Sequence, residues 1–256
     1  MTTSPRPLPR LTRPEPGAAR VGTFVKIAAP SVIEVLALAG LDFAVLDGEH
    51  APFDRADIDR LVLAGVAAGL PLLVRVSDDA PATLLSVLDI GAAGVVVPHV
   101  DTAAQAERIV SRCRLRGGTR GYSGSPRGAG YGTFGMKRVL ADADRALVVC
   151  QIESPQAVAE AAAIAAVDGV HALFIGRADL ALAMGHDDIR TAEVDRAVDL
   201  VMAAAGAAGK DVAVAVADAR ERDVFTARGA RWVVVGSDQS LLRQAAVAVA
   251  RRDEAG

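Results

Sequence analysis

The chain has 256 residues and a formal net charge of −3, with Lys and Arg scattered along it rather than massed in one stretch, which argues against a nucleic-acid partner. Its two cysteines, Cys113 and Cys150, are too few and too far apart for a disulfide framework or a C-x-x-C zinc site. No run reaches the roughly 18 apolar residues of a membrane span, and the 52% hydrophobic content suits one helix-rich domain with a large core.

Residues 1–20, "MTTSPRPLPRLTRPEPGAAR", are rich in proline and arginine and have no apolar leader core, so they read as a disordered tail on a cytoplasmic protein. From there to 252, short runs of Val, Ile, Leu and Phe alternate with longer alanine-rich stretches of helical period. The predicted strands are "TFVKI" (23–27), "FAVLD" (43–47), "LLVRV" (72–76), "GVVVP" (94–98), "LVVCQIE" (147–153), "ALFIG" (172–176), "VAVAV" (212–216) and "WVVVG" (232–236). Predicted helices include 54–69, 102–115, 155–167, 193–209 and 218–229, several opening on Asp, Thr or Ser. Eight such units in one domain predict an α/β fold, a closed (β/α)8 TIM barrel. An open dinucleotide-binding sheet would want G-x-G-x-x-G after the first strand, and "VKIAAPS" is not that.

Reactive groups of such barrels sit where strands end. Here the second strand ends in Asp47, Glu49 and His50, the third carries Arg75, the fourth leads to His99, the fifth ends in Gln151 and Glu153, and the sixth runs into Arg177 and Asp179. Glu153 and Asp179 suit a hard divalent cation in an open site, or else cap the helices that follow them. Arg75, inside an apolar strand, either pairs with a structural acid or receives an oxyanion. Asp47 lies three residues before His50, a spacing that lets a carboxylate orient an imidazole. The glycine-rich "RGGTRGYSGSPRGAGYG" (116–132) does not match a P-loop and reads as a flexible loop or an oligomer arm. His171 and His186 read as structural or exposed.

With "DFAVLDGEHAPFD", "LLSVLDIGAAGVVVPHVDTAAQA", "VVCQIESPQAV" and "VDGVHALFIGRADLALAMG", the chain resembles the HpcH/HpaI aldolase family over roughly 20–250. The resemblance implies a metal-dependent class II aldolase acting on 4-hydroxy-2-oxo acids, with pyruvate as enolate donor and an aldehyde as partner. It implies that Glu153 and Asp179 hold Mg2+, Mn2+ or Co2+, that Arg75 stabilises the enolate, and that His50, oriented by Asp47, is the acid/base. Gln151, Gly176, Arg177 and Ala178 would contact substrate, and Asp89 would serve a neighbouring subunit's site. It further implies a homo-oligomer, either a trimer or a hexamer built as a dimer of trimers with exchanged C-terminal helices.

One departure is local: the family usually has proline where this chain has Arg177, and that arginine is expected to meet an extra acidic group on the substrate. Other readings stay open: an acyl-CoA ester lyase or citrate-forming synthase of the same superfamily, a Schiff base on Lys26, and a non-catalytic binding barrel.

Overall fold

The computed structural model describes residues 8–15 and 17–250. The elements run β1 (Arg20–Val25), α1 (Pro30–Leu38), β2 (Phe43–Asp47), α2 (Arg55–Ala68), β3 (Leu72–Arg75), α3 (Pro81–Asp89), β4 (Gly94–Val97) and α4 (Ala103–Cys113). A 3-10 turn (Arg127–Gly132) and α5 (Met136–Ala143) precede β5 (Leu147–Ile152), α6 (Pro155–Ala166), β6 (Ala172–Ile175), α7 (Arg177–Ala183) and α8 (Ala192–Ala207). The chain closes with β7 (Asp211–Val216), α9 (Ala219–Ala227), β8 (Trp232–Ser237) and α10 (Asp238–Ala250). All eight strands are parallel and pair in sequence order, β8 returning to β1, so the expected (β/α)8 barrel is the fold.

The strands are buried on both faces, and their two-residue period sorts side chains into two apolar layers. On β2, Ala44 and Leu46 join the layer under the helices, whereas Phe43 and Val45 fill the barrel with Phe24, Leu73, Val96, Val149, Phe174 and Trp232. Continuing that alternation past the last apolar residue puts Lys26, Asp47, Arg75, Gln151 and Glu153 on the interior side of the C-terminal mouth. Helix starts are fixed locally: Asp54 caps α2 in a reciprocal box with Asp57, and Ser154, Thr191 and Asp218 cap α6, α8 and α9. Gly69 ends α2 at φ 76°, a conformation that glycine adopts without strain.

Two segments that read as loose in the sequence make defined contacts. The tail was expected to be disordered through residue 20, yet residues 8–15 are pinned across the N-terminal mouth; residues 1–7 lie outside the described residues. Leu11 is buried in the interior cluster beside Trp232, Arg13 Nε lies 2.7 Å from Asp211 Oδ1, and Arg231 donates to the carbonyls of Pro14 and Glu15. The barrel interior needs an apolar lid at this mouth, and Leu11 supplies it. The glycine-rich segment is likewise held: Arg120 Nη2 is 2.7 Å from Asp89 Oδ1, and Arg127 Nη1 is 2.7 Å from Asp59 Oδ1.

Among the described residues no helix is long and apolar enough to cross a membrane. Both cysteines are free, and burial pushes their thiols up to about 12.

Candidate active site

The register of β2 and β3 sets Asp47 beside Arg75. Asp47 is fully buried and grips the guanidinium at two points, accepting from Nε at 3.0 Å and from Nη2 at 2.8 Å. The Lys26 ammonium approaches the same carboxylate at 2.8 Å. Burial alone would raise the Asp47 pKa, but Arg75 and Lys26 outweigh it and hold it at about 2. The guanidinium lies over the Phe24 ring, 4.7 Å from its centroid. Its Nη1 has no protein hydrogen-bond partner among the described residues.

The expected pairing of Asp47 with the His50 imidazole is therefore corrected. Asp47 accepts the His50 main-chain N–H at 3.1 Å, and the acid facing the ring is Glu49, with Oε2 3.7 Å from His50 Nε2. Arg75 and Lys26 fill Asp47, so no lone pair is left aimed at the imidazole. Glu49 stands in the same motif, two residues after Asp47. It lies 3.3 Å from Arg75 Nε and 3.4 Å from His99 Nε2, yet accepts no hydrogen bond among the described residues. Burial pushes its carboxyl above the usual range, and the nearby Glu153 charge adds to the rise against Arg75 and the two histidines.

Glu153 is buried at the end of β5 and is not a helix cap; Ser154 does that work through Ala157 N–H. Its Oε1 accepts from the His99 main-chain N–H at 2.7 Å and lies 3.0 Å from His99 Nδ1, while Gln151 Nε2 donates to Oε2. His99 adopts φ 54°, unusual for a non-glycine residue, and this turn brings both its amide and its ring to the carboxylate. Gly176 packs directly against Glu153: a Cβ there would come within 2.7 Å of Oε2.

Three residues on, Asp179 sits in the first turn of α7, half-buried, with no hydrogen bond or ion pair among the described residues. Ala178 is exposed beside it.

The residues fit the implied cation. Glu153 is an anchored, oriented carboxylate and Asp179 a partnerless one, together a hard oxygen set with most positions left for water and substrate. Among the described residues no group of three or more His, Cys, Asp or Glu is placed to hold a metal ion, so the protein's share of such a site rests on these two carboxylates. The Schiff-base alternative is disfavoured, because the Lys26 amine is tied to Asp47. Its turn is further fixed by buried Asp238, which accepts the main-chain N–H groups of Lys26 and Ile27 and went unnoticed in the sequence.

Arg177, which the resemblance places against substrate, is held by the protein itself. Its Nη1 donates to Glu221 Oε1 at 2.6 Å and its Nη2 to the Ala215 carbonyl at 2.8 Å, outside the barrel between α7 and α9. Asp89 lies at the opposite mouth, paired with Arg120.

The model of the family described as HpcH/HpaI aldolase/citrate lyase matches residues 20–245. A 5-keto-4-deoxy-D-glucarate aldolase of Klebsiella pneumoniae is 38% identical over 88% of this chain and 89% of its own length. A hydroxypyruvate/pyruvate aldolase of Delftia acidovorans is 36% identical over 89% and 85%. The crystal structure of an HpcH/HpaI aldolase/citrate lyase family protein from Burkholderia cenocepacia superposes with a TM-score of 0.87 at 33% identity, covering 92% of this chain and 94% of that one. With a closed barrel whose strand ends gather Asp47, Arg75, Glu153 and Asp179 at one mouth, the chain belongs to the HpcH/HpaI aldolase/citrate lyase family.

Proposed function

We propose that this mouth forms and quenches the enolate of a 2-oxo acid, with pyruvate as donor, an aldehyde as partner, and Mg2+, Mn2+ or Co2+ held by Glu153 and Asp179. The chain is an aldolase-type carbon–carbon lyase by its family and by aldolase relatives 36–38% identical over most of its length; the donor, the cation and the residue roles belong to this reading. The cation would act as a Lewis acid toward the carbonyl oxygen of the bound 2-oxo acid.

The observation that carries the reading is the Arg75 guanidinium, which is clamped at Nε and Nη2 by a buried acid and presents Nη1 without a partner. A donor fixed in advance stabilises developing negative charge without reorganising, as an enolate oxygen requires. His50, half-exposed and with Glu49 Oε2 3.7 Å from its Nε2, takes and returns the proton through the other ring nitrogen, Nδ1. Gln151 and His99 keep the Glu153 carboxylate in place.

Homo-oligomerisation, as a trimer or a hexamer, belongs to the same reading. Its support is α10, which leaves Leu242 63% and Val249 87% exposed, while α1 leaves Leu38 88% exposed. Two reduced, buried cysteines fit a cytoplasmic protein.

The test is cleavage of a 4-hydroxy-2-oxo acid, with released pyruvate measured by a coupled dehydrogenase. Turnover that stops with chelator and returns with Mg2+, Mn2+ or Co2+ supports the reading. Turnover that survives exhaustive chelation, or that no divalent cation elicits, would overturn the metal assignment.

A further inference from the structure

Arg177 ties the turn that carries Asp179 to the next βα turn. It stands at the first position of α7, with its side chain only 10% exposed and its Cζ 4.8 Å from the Phe225 ring centroid. Glu221, its partner, accepts the Ala217 N–H at 2.7 Å through its other oxygen, and its own N–H bonds Asp218, the cap of α9. One guanidinium thus joins the end of β7, the first turn of α9 and the start of α7. Arg177 and Ala217 also outweigh the effect of burial on Glu221 and hold its carboxyl below the usual range.

Asp179 needs such a frame. Its carboxylate has no partner among the described residues, so the backbone of the first turn of α7 alone sets its direction. That helix has seven residues and no side-chain cap at Gly176, and so short a helix is marginal without tertiary support. On the β5 side the frame is fixed, because Gly176 N–H bonds the Ile152 carbonyl at 3.0 Å and packs on Glu153. On the β7 side it is fixed by Arg177.

We propose that Arg177 and Glu221 are positioning residues that aim the Asp179 carboxylate and thereby set the affinity of the mouth for a divalent cation. This rests on the reading of Asp179 as a metal ligand. Groups that orient ligating carboxylates typically change metal affinity about 10–100-fold when removed. Proline at a first helical position would fix the same backbone without a side-chain partner, since that N–H has no intrahelical acceptor.

The test is Mn2+ binding to the full-length, chelator-stripped protein, read from the EPR signal of the free ion, with Tm measured for each variant. The expected result is binding by wild type, loss in Asp179→Asn, and Kd weakened about ten-fold or more in Arg177→Met and in Glu221→Gln. The double variant should weaken no further than the singles, because the two residues act as one unit, and Arg177→Pro should bind close to wild type. Wild-type Kd in both Arg177→Met and Glu221→Gln, whatever their Tm, overturns the proposal and leaves the metal reading standing. Weakening that merely follows Tm across all variants, proline included, overturns it too. A wild type that binds no Mn2+ removes the metal reading and this inference together.

Discussion

At the N-terminal mouth of the barrel the charges are matched: Arg13 with Asp211, Arg120 with Asp89 and Arg127 with Asp59, each at 2.7 Å. At the C-terminal mouth they are not. Glu49 and Asp179 accept no hydrogen bond among the described residues, and Arg75 has no partner there for Nη1 although Asp47, which also pairs with Lys26, grips it at two points. Charge alone does not separate a working mouth from a structural one, since both are polar. The difference lies in the acids: Asp211, Asp89 and Asp59 at the N-terminal mouth are paired, with only Nε of Arg120 and of Arg127 left over, whereas Glu49 and Asp179 accept no hydrogen bond among the described residues.

The strongest way to break this contrast is to remove Asp47. Asp47→Asn leaves the buried Arg75 and the half-buried Lys26 beside a neutral amide, and urea unfolding should show a loss of about 3–5 kcal/mol, together with loss of activity. Next, Arg75→Lys keeps the charge but cannot reproduce the two-point grip, so kcat/KM for cleavage should fall by about 10²–10³ while the protein stays folded.

The third prediction follows from the sign of the Asp47 shift. Folding lowers its pKa from 3.8 to about 2. Its stabilisation is therefore complete above the unfolded value and is lost as pH falls through the folded one, a contribution of about 2 kcal/mol. Acid titrations of stability should be flatter below pH ~4 for Asp47→Asn than for wild type. The smallest effect belongs to the other mouth: Arg13 is 59% exposed in its pair, and Arg13→Gln should change stability by under about 1 kcal/mol and leave cleavage rates unchanged.

The barrel was legible because strands buried on both faces read as uninterrupted apolar runs, and each predicted strand falls within a few residues of an observed one. The polar strand ends were legible for the same reason, since each follows a run whose alternation already fixes the interior face. The pairings were not legible. Asp47 and Arg75 meet only through the register of two strands, and Arg177 reaches Glu221 across 44 residues, so the local spacing of Asp47 and His50 suggested a contact that Arg75 pre-empts. Leu11 was not legible because its burial depends on a tertiary contact made from a proline-rich segment, whereas α5, MKRVLADA, holds neither proline nor glycine and was obscured only by the glycine-rich run before it.

The claim that this mouth makes an enolate can be tested without knowing the aldehyde. The protein would be incubated with pyruvate in D2O and Mn2+, and loss of the methyl proton signal followed for wild type and Arg75→Lys. Exchange that requires the cation and falls at least ten-fold in Arg75→Lys is the expected result. Exchange at the wild-type rate in Arg75→Lys, or none in wild type with any divalent cation, would contradict it.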